Sequence, residues 1–224
     1  MVAHISRKKI PILFVAALLA VAAFLFLPAG TLDYWQAWAY MAVIFLPAFF
    51  VIFYFLKSDP GFIERRMQYK EKEAKQKTIV KAASILFLIG FIVPGLDRRF
   101  GWSHLPAESA IAADIIVFLG YLLCIWVFKE NRYASRTVRV EKGQTVVSTG
   151  PYAMVRHPMY LGSIALYLAT PIALGSYLAL PFFALSAIAI LFRILDEERL
   201  LKDKLPGYAA YCKKTRYRLV PYIW

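Results

Sequence analysis

Hydrophobic and polar positions along this chain fall into long blocks. Five predominantly apolar runs are separated by shorter segments that hold most of the charge. The runs cover residues 10–27, 35–56, 79–96, 111–128 and 159–195. A helix rises about 1.5 Å per residue, so each of the first four runs is long enough to cross a hydrocarbon core of roughly 30 Å. The pattern therefore predicts four transmembrane helices before residue 129.

The fifth run has about twice the length of one membrane span. Pro171, the pair Gly175-Ser176 and Pro181 lie in its middle, where they favour a turn between two helices. Residues 159–195 are therefore predicted to form a helical hairpin. The predicted fold is an all-α integral membrane protein of about six transmembrane helices, the last two forming the hairpin. We expect two regions, an N-terminal four-helix transmembrane region at residues 1–128 and a second region at residues 129–224.

The composition agrees with a membrane protein. Hydrophobic residues make up 60% of the 224 positions and charged residues only 18%, and the mean hydropathy is +0.56. A soluble domain is closer to one half apolar and one quarter charged. This excess of apolar residues excludes a soluble globular enzyme, a disordered chain and a fibrous repeat.

The net charge of +13 is explained by membrane topology. Placing the N-terminus in the cytoplasm puts 25 of the 27 lysines and arginines in cytoplasmic segments or at cytoplasmic span ends, and leaves only Arg98 and Arg99 outside. Basic residues concentrate in cytoplasmic loops and attract anionic headgroups. We therefore predict a multi-pass protein with both termini in the cytoplasm and membrane lipids, rather than nucleic acid, as partners.

Cysteine and histidine spacing gives no sign of a metal site. Cys124 and Cys212 lie far apart, and the three histidines show no zinc-ligand spacing. Cys124 lies in an apolar run, where packing is its simplest role. We predict that the protein binds no metal.

A polar segment before the hairpin holds the first candidate site. Pro158 disfavours a helical conformation at His157 and suits the first position of the following helix. His157 is thus expected at the start of a helix, where unpaired N–H groups attract anions. An isolated His-Pro pair is more commonly a turn, but its neighbours favour a functional interpretation. These neighbours are Tyr152, Arg156, Tyr160 and Gly162.

The second candidate site lies at the far end of the hairpin. Arg193 and Glu197 are four residues apart and share one helix face. Arg193 still lies in an apolar run, and a charge at membrane depth costs several kcal/mol unless it faces a polar cavity. Because a hairpin returns to the side on which it begins, Arg193 and Glu197 are predicted to lie near His157.

Together these segments resemble the isoprenylcysteine carboxyl methyltransferase family, and related integral-membrane phospholipid N-methyltransferases share the pattern. The resemblance covers roughly residues 131–221. Its motifs are Val147-Ser-Thr-Gly150-Pro-Tyr152, Arg156-His157-Pro158-x-Tyr160-x-Gly162, Glu197-Glu198, Gly207-Tyr208-x-x-Tyr211 and Arg218-Leu-x-Pro221. The block around His157 is fairly specific when combined with the downstream glutamate pair.

The resemblance implies that residues 129–224 form a catalytic region with a C-terminal cofactor-binding part in the cytosol. It places an S-adenosyl-L-methionine (SAM) site at the cytosolic face, with S-adenosyl-L-homocysteine as product. Glu197 would hold the amino group of the methionine part, and Arg193 would orient the acceptor. The family commonly has histidine where this chain has Gln144. The implied cofactor-binding residues are Gln144, Thr145, Val146, Val147, Tyr152, His157, Pro158, Met159, Tyr160 and Glu197.

The acceptor implied by the resemblance is a lipophilic or prenylated substrate from the bilayer, most specifically the C-terminal carboxylate of an isoprenylcysteine. A carboxylate is ionised near pH 7 and needs no general base, whereas a guanidinium such as Arg193 can orient it. A lipid amine or a small thiol is an alternative acceptor. An amine must lose a proton, for which Glu198 is a candidate base.

Two other functions remain open at this point. Membrane sterol-type reductases that use NADPH share the His-Pro-x-Tyr-x-Gly block, and Arg136, Arg139 and Lys142 are candidates to bind the 2′-phosphate. Against a reductase, the Glu197-Glu198 pair suits an ammonium better than a pyrophosphate. A transporter or lipid-binding scaffold is the third class, but the first four spans hold almost no polar residues.

Overall fold

The computed structural model describes residues 9–58, 74–134, 140–141 and 143–224, and of residues 74–80 it describes only the backbone. These parts of the chain are helical and contain no strand. Their elements are α1 Lys9–Ala29, α2 Trp35–Ser58, α3 Ala74–Phe100, α4 Ala107–Glu130, a 3-10 helix Gly150–Ala153, α5 Pro158–Ala173, α6 Leu180–Lys204 and α7 Tyr208–Lys214. The all-helical fold predicted from the sequence is confirmed.

Each of the four predicted N-terminal spans lies within one long helix. Three described helices, α1, α2 and α4, are long and apolar enough to cross a membrane, and α5 is a shorter apolar helix. The protein is therefore an integral membrane protein. The total of six crossings stays a prediction, as do the orientation of the termini and the division into two regions at residue 129.

The helical hairpin is present where the sequence predicts it. Pro171 lies in the last turn of α5, and Pro181 lies in the first turn of α6. Between them Gly175 adopts a left-handed conformation with φ of +74°, which glycine allows at no steric cost. α6 continues to Lys204, beyond the predicted hairpin end at residue 195. This extension carries Glu197 and Glu198.

An aromatic cluster fills the centre of the bundle. Phe183 of α6 is fully buried, and its ring lies 5.3 Å from Phe87 and 5.5 Å from Phe91 of α3, both in edge-on geometry. Such pairs stabilise a core beyond the apolar area that they bury. The cluster also includes Leu25 of α1 and Tyr40 of α2. The hairpin thus packs directly onto the N-terminal helices.

Two glycines let α4 and α5 approach closely. A Cβ atom on Gly162 would lie 2.7 Å from the Gly120 carbonyl oxygen and 2.9 Å from the Cys124 sulfur. Small residues at such crossings bring helix backbones together in a membrane. Gly162 therefore serves helix packing, and Cys124 is buried against α5 as expected for a packing residue. This contact fixes the start of α5 beside the end of α4.

Candidate functional site

A cleft opens at the predicted cytosolic end of the bundle. The end of α4, the start of α5, the extended part of α6 and α7 surround it, together with the loop at residues 143–149. All ten cofactor-binding residues predicted from the sequence line this one cleft. They are Gln144, Thr145, Val146, Val147, Tyr152, His157, Pro158, Met159, Tyr160 and Glu197.

Eight further residues line the cleft that the sequence did not assign to it. They are Asn131, Tyr133, Ala134, Arg156, Leu201, Leu205, Tyr208 and Tyr211. Arg156, Tyr208 and Tyr211 belong to the sequence motifs, and this could have identified them as site residues. Leu201 and Leu205 carried no signal, because an apolar residue on a helix is usually a packing residue.

The start of α5 has the geometry expected of it. His157 is the residue before the helix, with a φ of −125° and a ψ of 58°, and Pro158 is the first helical residue. The His157 N–H donates to the Arg218 carbonyl oxygen over 2.9 Å. This backbone bond ties the C-terminal tail to the wall of the cleft.

Tyr160 joins the two predicted clusters. Its hydroxyl donates to Glu197 Oε2 over 2.6 Å and accepts a hydrogen bond from Arg193 Nε over 3.0 Å. Arg193 itself lies behind Tyr160 and is not among the residues that line the cleft. The structure therefore brings Arg193 next to the cleft, one side chain away from Glu197.

Glu198 is surrounded by cationic groups. Its carboxylate is 3% exposed, and it accepts hydrogen bonds from Arg156 Nε over 2.7 Å and from Arg218 Nε over 3.1 Å. His157 Nε2 lies 3.3 Å from Glu198 Oε1, and Lys202 Nζ lies 3.9 Å from Oε2. Arg156 also binds the C-terminal tail, the segment that follows α7. Its Nη1 donates to the carbonyl oxygens of Thr215 and Arg216.

These neighbours decide the protonation of Glu198. Burial alone would raise the pKa of this carboxyl, but hydrogen bonds from His157 and Arg156 outweigh burial and lower the pKa from 4.5 to about 2. A carboxylate with this pKa does not accept a proton at neutral pH. Glu198 is therefore unsuited to the role of general base that the sequence left open for an amine acceptor.

The opposite wall of the cleft contains one unsatisfied polar group. The Tyr208 side chain is 4% exposed, and its hydroxyl has no hydrogen-bond partner among the described residues. Neighbouring polar groups are satisfied, since the Tyr211 hydroxyl donates to the Tyr152 carbonyl oxygen and the Asn131 amide donates to the Tyr152 hydroxyl. A buried hydroxyl without a partner is costly, and one that lines a cleft indicates a ligand.

The residues of the cleft fit the chemistry of SAM, which presents an ammonium, a carboxylate, a sulfonium and an adenosine. The Glu197 carboxylate suits the ammonium, the Tyr208 hydroxyl can hydrogen-bond a polar atom, and the valine and leucine side chains suit apolar parts. Arg156 is the only lysine or arginine among the described lining residues, and Glu198 and the tail occupy its Nε and Nη1. The candidate 2′-phosphate ligands Arg136, Arg139 and Lys142 lie outside the described residues.

A model of a known protein family matches most of the region that holds this cleft. Residues 109–205 match the sequence model of the phospholipid methyltransferase family. In structure, the chain is similar to the eukaryotic intramembrane Ras methyltransferase ICMT (isoprenylcysteine carboxyl methyltransferase). The TM-score is 0.55 at 20% identity, over 94% of this chain and 75% of the other. At this identity the likeness is one of fold.

Two curated proteins match parts of the chain. Delta(14)-sterol reductase TM7SF2 of Mus musculus is 31% identical over 91 residues, which are 39% of this chain and 22% of that protein. Cobalt-zinc-cadmium resistance protein CzcN of Cupriavidus metallidurans is 38% identical over 119 residues, 51% of this chain and 53% of that protein. The chain thus spans about one fifth and one half of these relatives. The match of residues 109–205 to the phospholipid methyltransferase family model agrees with the membrane methyltransferases that the motifs indicated.

Proposed function

We propose that this protein is a SAM-dependent membrane methyltransferase that acts on a lipophilic acceptor, most specifically the C-terminal carboxylate of an isoprenylcysteine-like substrate. The observation that carries this proposal is one cleft lined by all ten cofactor residues implied by the resemblance. The match of residues 109–205 to a methyltransferase family model supports it.

The chain's own residues have separate roles in this proposal. SAM, when bound, supplies an activated methyl group for an in-line displacement. Glu197 holds the ammonium of the cofactor, and Arg156 and His157 anchor the C-terminal tail beside the cleft. Methyl transfer depends mainly on proximity, alignment and exclusion of water, so this positioning is the protein's main contribution.

The surroundings of Glu198 favour a carboxylate acceptor over an amine. A carboxylate is already ionised at pH 7 and needs no base. Glu198, with a pKa lowered to about 2, does not supply a base for an amine. Arg193 lies beside the cleft at Tyr160, where its planar guanidinium is suited to orient a carboxylate through paired hydrogen bonds.

The test is methyl transfer by the detergent-purified protein from labelled SAM to three acceptors. These are a prenylated cysteine analogue, its carboxamide and phosphatidylethanolamine. We expect methylation of the free carboxylate and none of the carboxamide. Exclusive methylation of phosphatidylethanolamine would contradict the carboxylate assignment, and transfer to none of the three would contradict the proposed acceptor class.

Arg193→Ala separates acceptor orientation from cofactor binding. We expect this variant to lose roughly 10- to 100-fold in kcat/KM for the acceptor, from the loss of charged hydrogen bonds of about 1.5–3 kcal/mol, while S-adenosylhomocysteine affinity is kept. Arg199→Ala is the matched control, because Arg199 lies on the same helix with its side chain 79% exposed. Loss of cofactor affinity in Arg193→Ala would contradict the assigned role.

An NADPH-dependent sterol-type reductase is the second candidate function. The partial match to the mouse sterol reductase favours it. Under this alternative the same cleft would bind NADP⁺ more tightly than S-adenosylhomocysteine, so direct titration with both ligands distinguishes the two functions.

A further inference from the structure

A second large opening lies between α2 and α4, away from the cleft described above. It is a groove whose described lining residues are almost all apolar or aromatic, among them Ala42, Phe50 and Phe55 of α2 and Phe118 and Leu122 of α4. Pro47 lies inside α2, where it lacks the N–H that would bond the Val43 carbonyl, and prolines at such positions bend helices. The groove runs along α2 on both sides of Pro47.

Among the described residues that line the groove, one is charged, and it lies at the predicted cytosolic end. Lys129 is in the last turn of α4, and its Nζ lies 5.4 Å from the centre of the Tyr54 ring. The lysine is exposed and has no carboxylate partner among the described residues. A cation at this level faces the phosphates of the lipid headgroups.

The dimensions of the groove match one leaflet of a bilayer. Ala42 and Phe55 are thirteen residues apart on α2, which corresponds to about 20 Å along a helix. Half of a hydrocarbon core is about 15 Å deep, so a chain that begins at Lys129 can lie in the groove through the whole leaflet. The apolar wall and the single terminal cation complement an anionic head joined to a hydrocarbon chain.

We propose that the groove is a binding site for an anionic phospholipid of the predicted cytosolic leaflet. Its phosphate lies at Lys129, and one acyl chain lies along α2 and α4. The bound lipid is not the methyl acceptor, because Lys129 and the groove residues lie outside the lining of the cofactor cleft. The site is independent of the proposed enzymatic function.

Native mass spectrometry of the detergent-solubilised chain tests this site, with phosphatidylglycerol and phosphatidylcholine of matched acyl chains as probes. We expect the wild type to prefer phosphatidylglycerol, and Lys129→Gln to lose about fivefold of that preference, the equivalent of about 1 kcal/mol per basic residue at the membrane surface. Lys129→Arg keeps the charge and should keep the preference. Ala42→Trp should weaken the binding of long-chain lipids more than that of short-chain lipids, because the tryptophan fills the far end of the groove.

Lys57→Gln is the matched control, since Lys57 lies in the last turn of α2 but does not line the groove. It should retain the preference for phosphatidylglycerol. Equal binding of both lipids by the wild type, or an equal loss in Lys57→Gln and Lys129→Gln, would overturn the proposal. A bound lipid that becomes one methyl group heavier when SAM is added would make the groove an acceptor site and would overturn the assignment to a non-reacting lipid.

Discussion

Glu197 and Glu198 are adjacent in the sequence and have the same chemistry, but the fold gives them different surroundings. Successive residues on a helix point about 100° apart, so the two carboxylates face different neighbours. Glu197 lines the cleft and accepts a hydrogen bond from the neutral Tyr160 hydroxyl. Glu198 is buried among two arginines, a lysine and a histidine. We infer that Glu197 serves the ligand and that Glu198 serves the structure.

Removing the Glu198 charge should have the largest effect. Glu198→Gln leaves the buried Arg156 guanidinium without its carboxylate, and breaking a buried ion pair in this way costs about 3–5 kcal/mol. The apparent melting temperature in detergent and the free energy of unfolding by denaturant both measure this loss. Glu197→Gln is the control and should be nearly as stable as the wild type. Equal stability of the two variants would contradict the contrast between these residues.

Acidification should also remove the contribution of the Glu198 carboxylate to the stability of the folded protein. The pKa of Glu198 is about 2 in the folded protein and 4.5 as its ordinary value, so the folded state favours the ionised form. The contribution is complete above pH 4.5, is lost as the pH falls towards 2, and amounts to about 3 kcal/mol. Unfolding of wild type and Glu198→Gln between pH 7 and pH 3 measures it. The stability difference should shrink on acidification, and a constant difference would contradict a lowered pKa.

The converse variant, Glu197→Gln, should affect binding more than stability. Loss of a hydrogen bond to a charged group costs about 1.5–3 kcal/mol, so S-adenosylhomocysteine should bind roughly 10- to 100-fold more weakly. Calorimetry with an analogue that lacks the amino group is the control. That analogue should bind wild type and variant equally. An equal loss of affinity for both ligands would show that Glu197 does not recognise the ammonium.

The smallest effect is expected at Tyr208, on the opposite wall. Tyr208→Phe removes a buried hydroxyl that lacks a partner among the described residues, so the ligand-free protein should be at least as stable as the wild type. Affinity for S-adenosylhomocysteine should fall about 3- to 10-fold if the ligand satisfies this hydroxyl. Thermal unfolding with and without ligand measures both changes. A less stable ligand-free variant with unchanged affinity would assign Tyr208 to the structure instead.

The positions of the helices could be predicted from the sequence, because long apolar runs have few alternatives in a membrane. The ends of the helices could not be predicted from the sequence. α6 continues past residue 195 as a polar helix, and apolar content does not mark where such a helix stops. The turn between the hairpin helices was predictable because Gly175 and its flanking prolines interrupt the apolar run.

The candidate site could be predicted only in part. The family resemblance gave ten lining residues, but the far wall depends on α7 folding back after Gly207, which has a φ of +86°. Tyr208 and Tyr211 reach the cleft only through that turn. The sequence also offered Glu198 as a base, since the cations around it come from residues as distant as Arg156 and Arg218. Their convergence is a property of the tertiary structure.

Titration of the purified wild-type protein with S-adenosylhomocysteine and, separately, with NADP⁺ tests the central claim most directly. The account predicts that S-adenosylhomocysteine binds with micromolar affinity and that NADP⁺ does not bind. Binding of NADP⁺ alone would contradict the methyltransferase proposal and the role of Glu197.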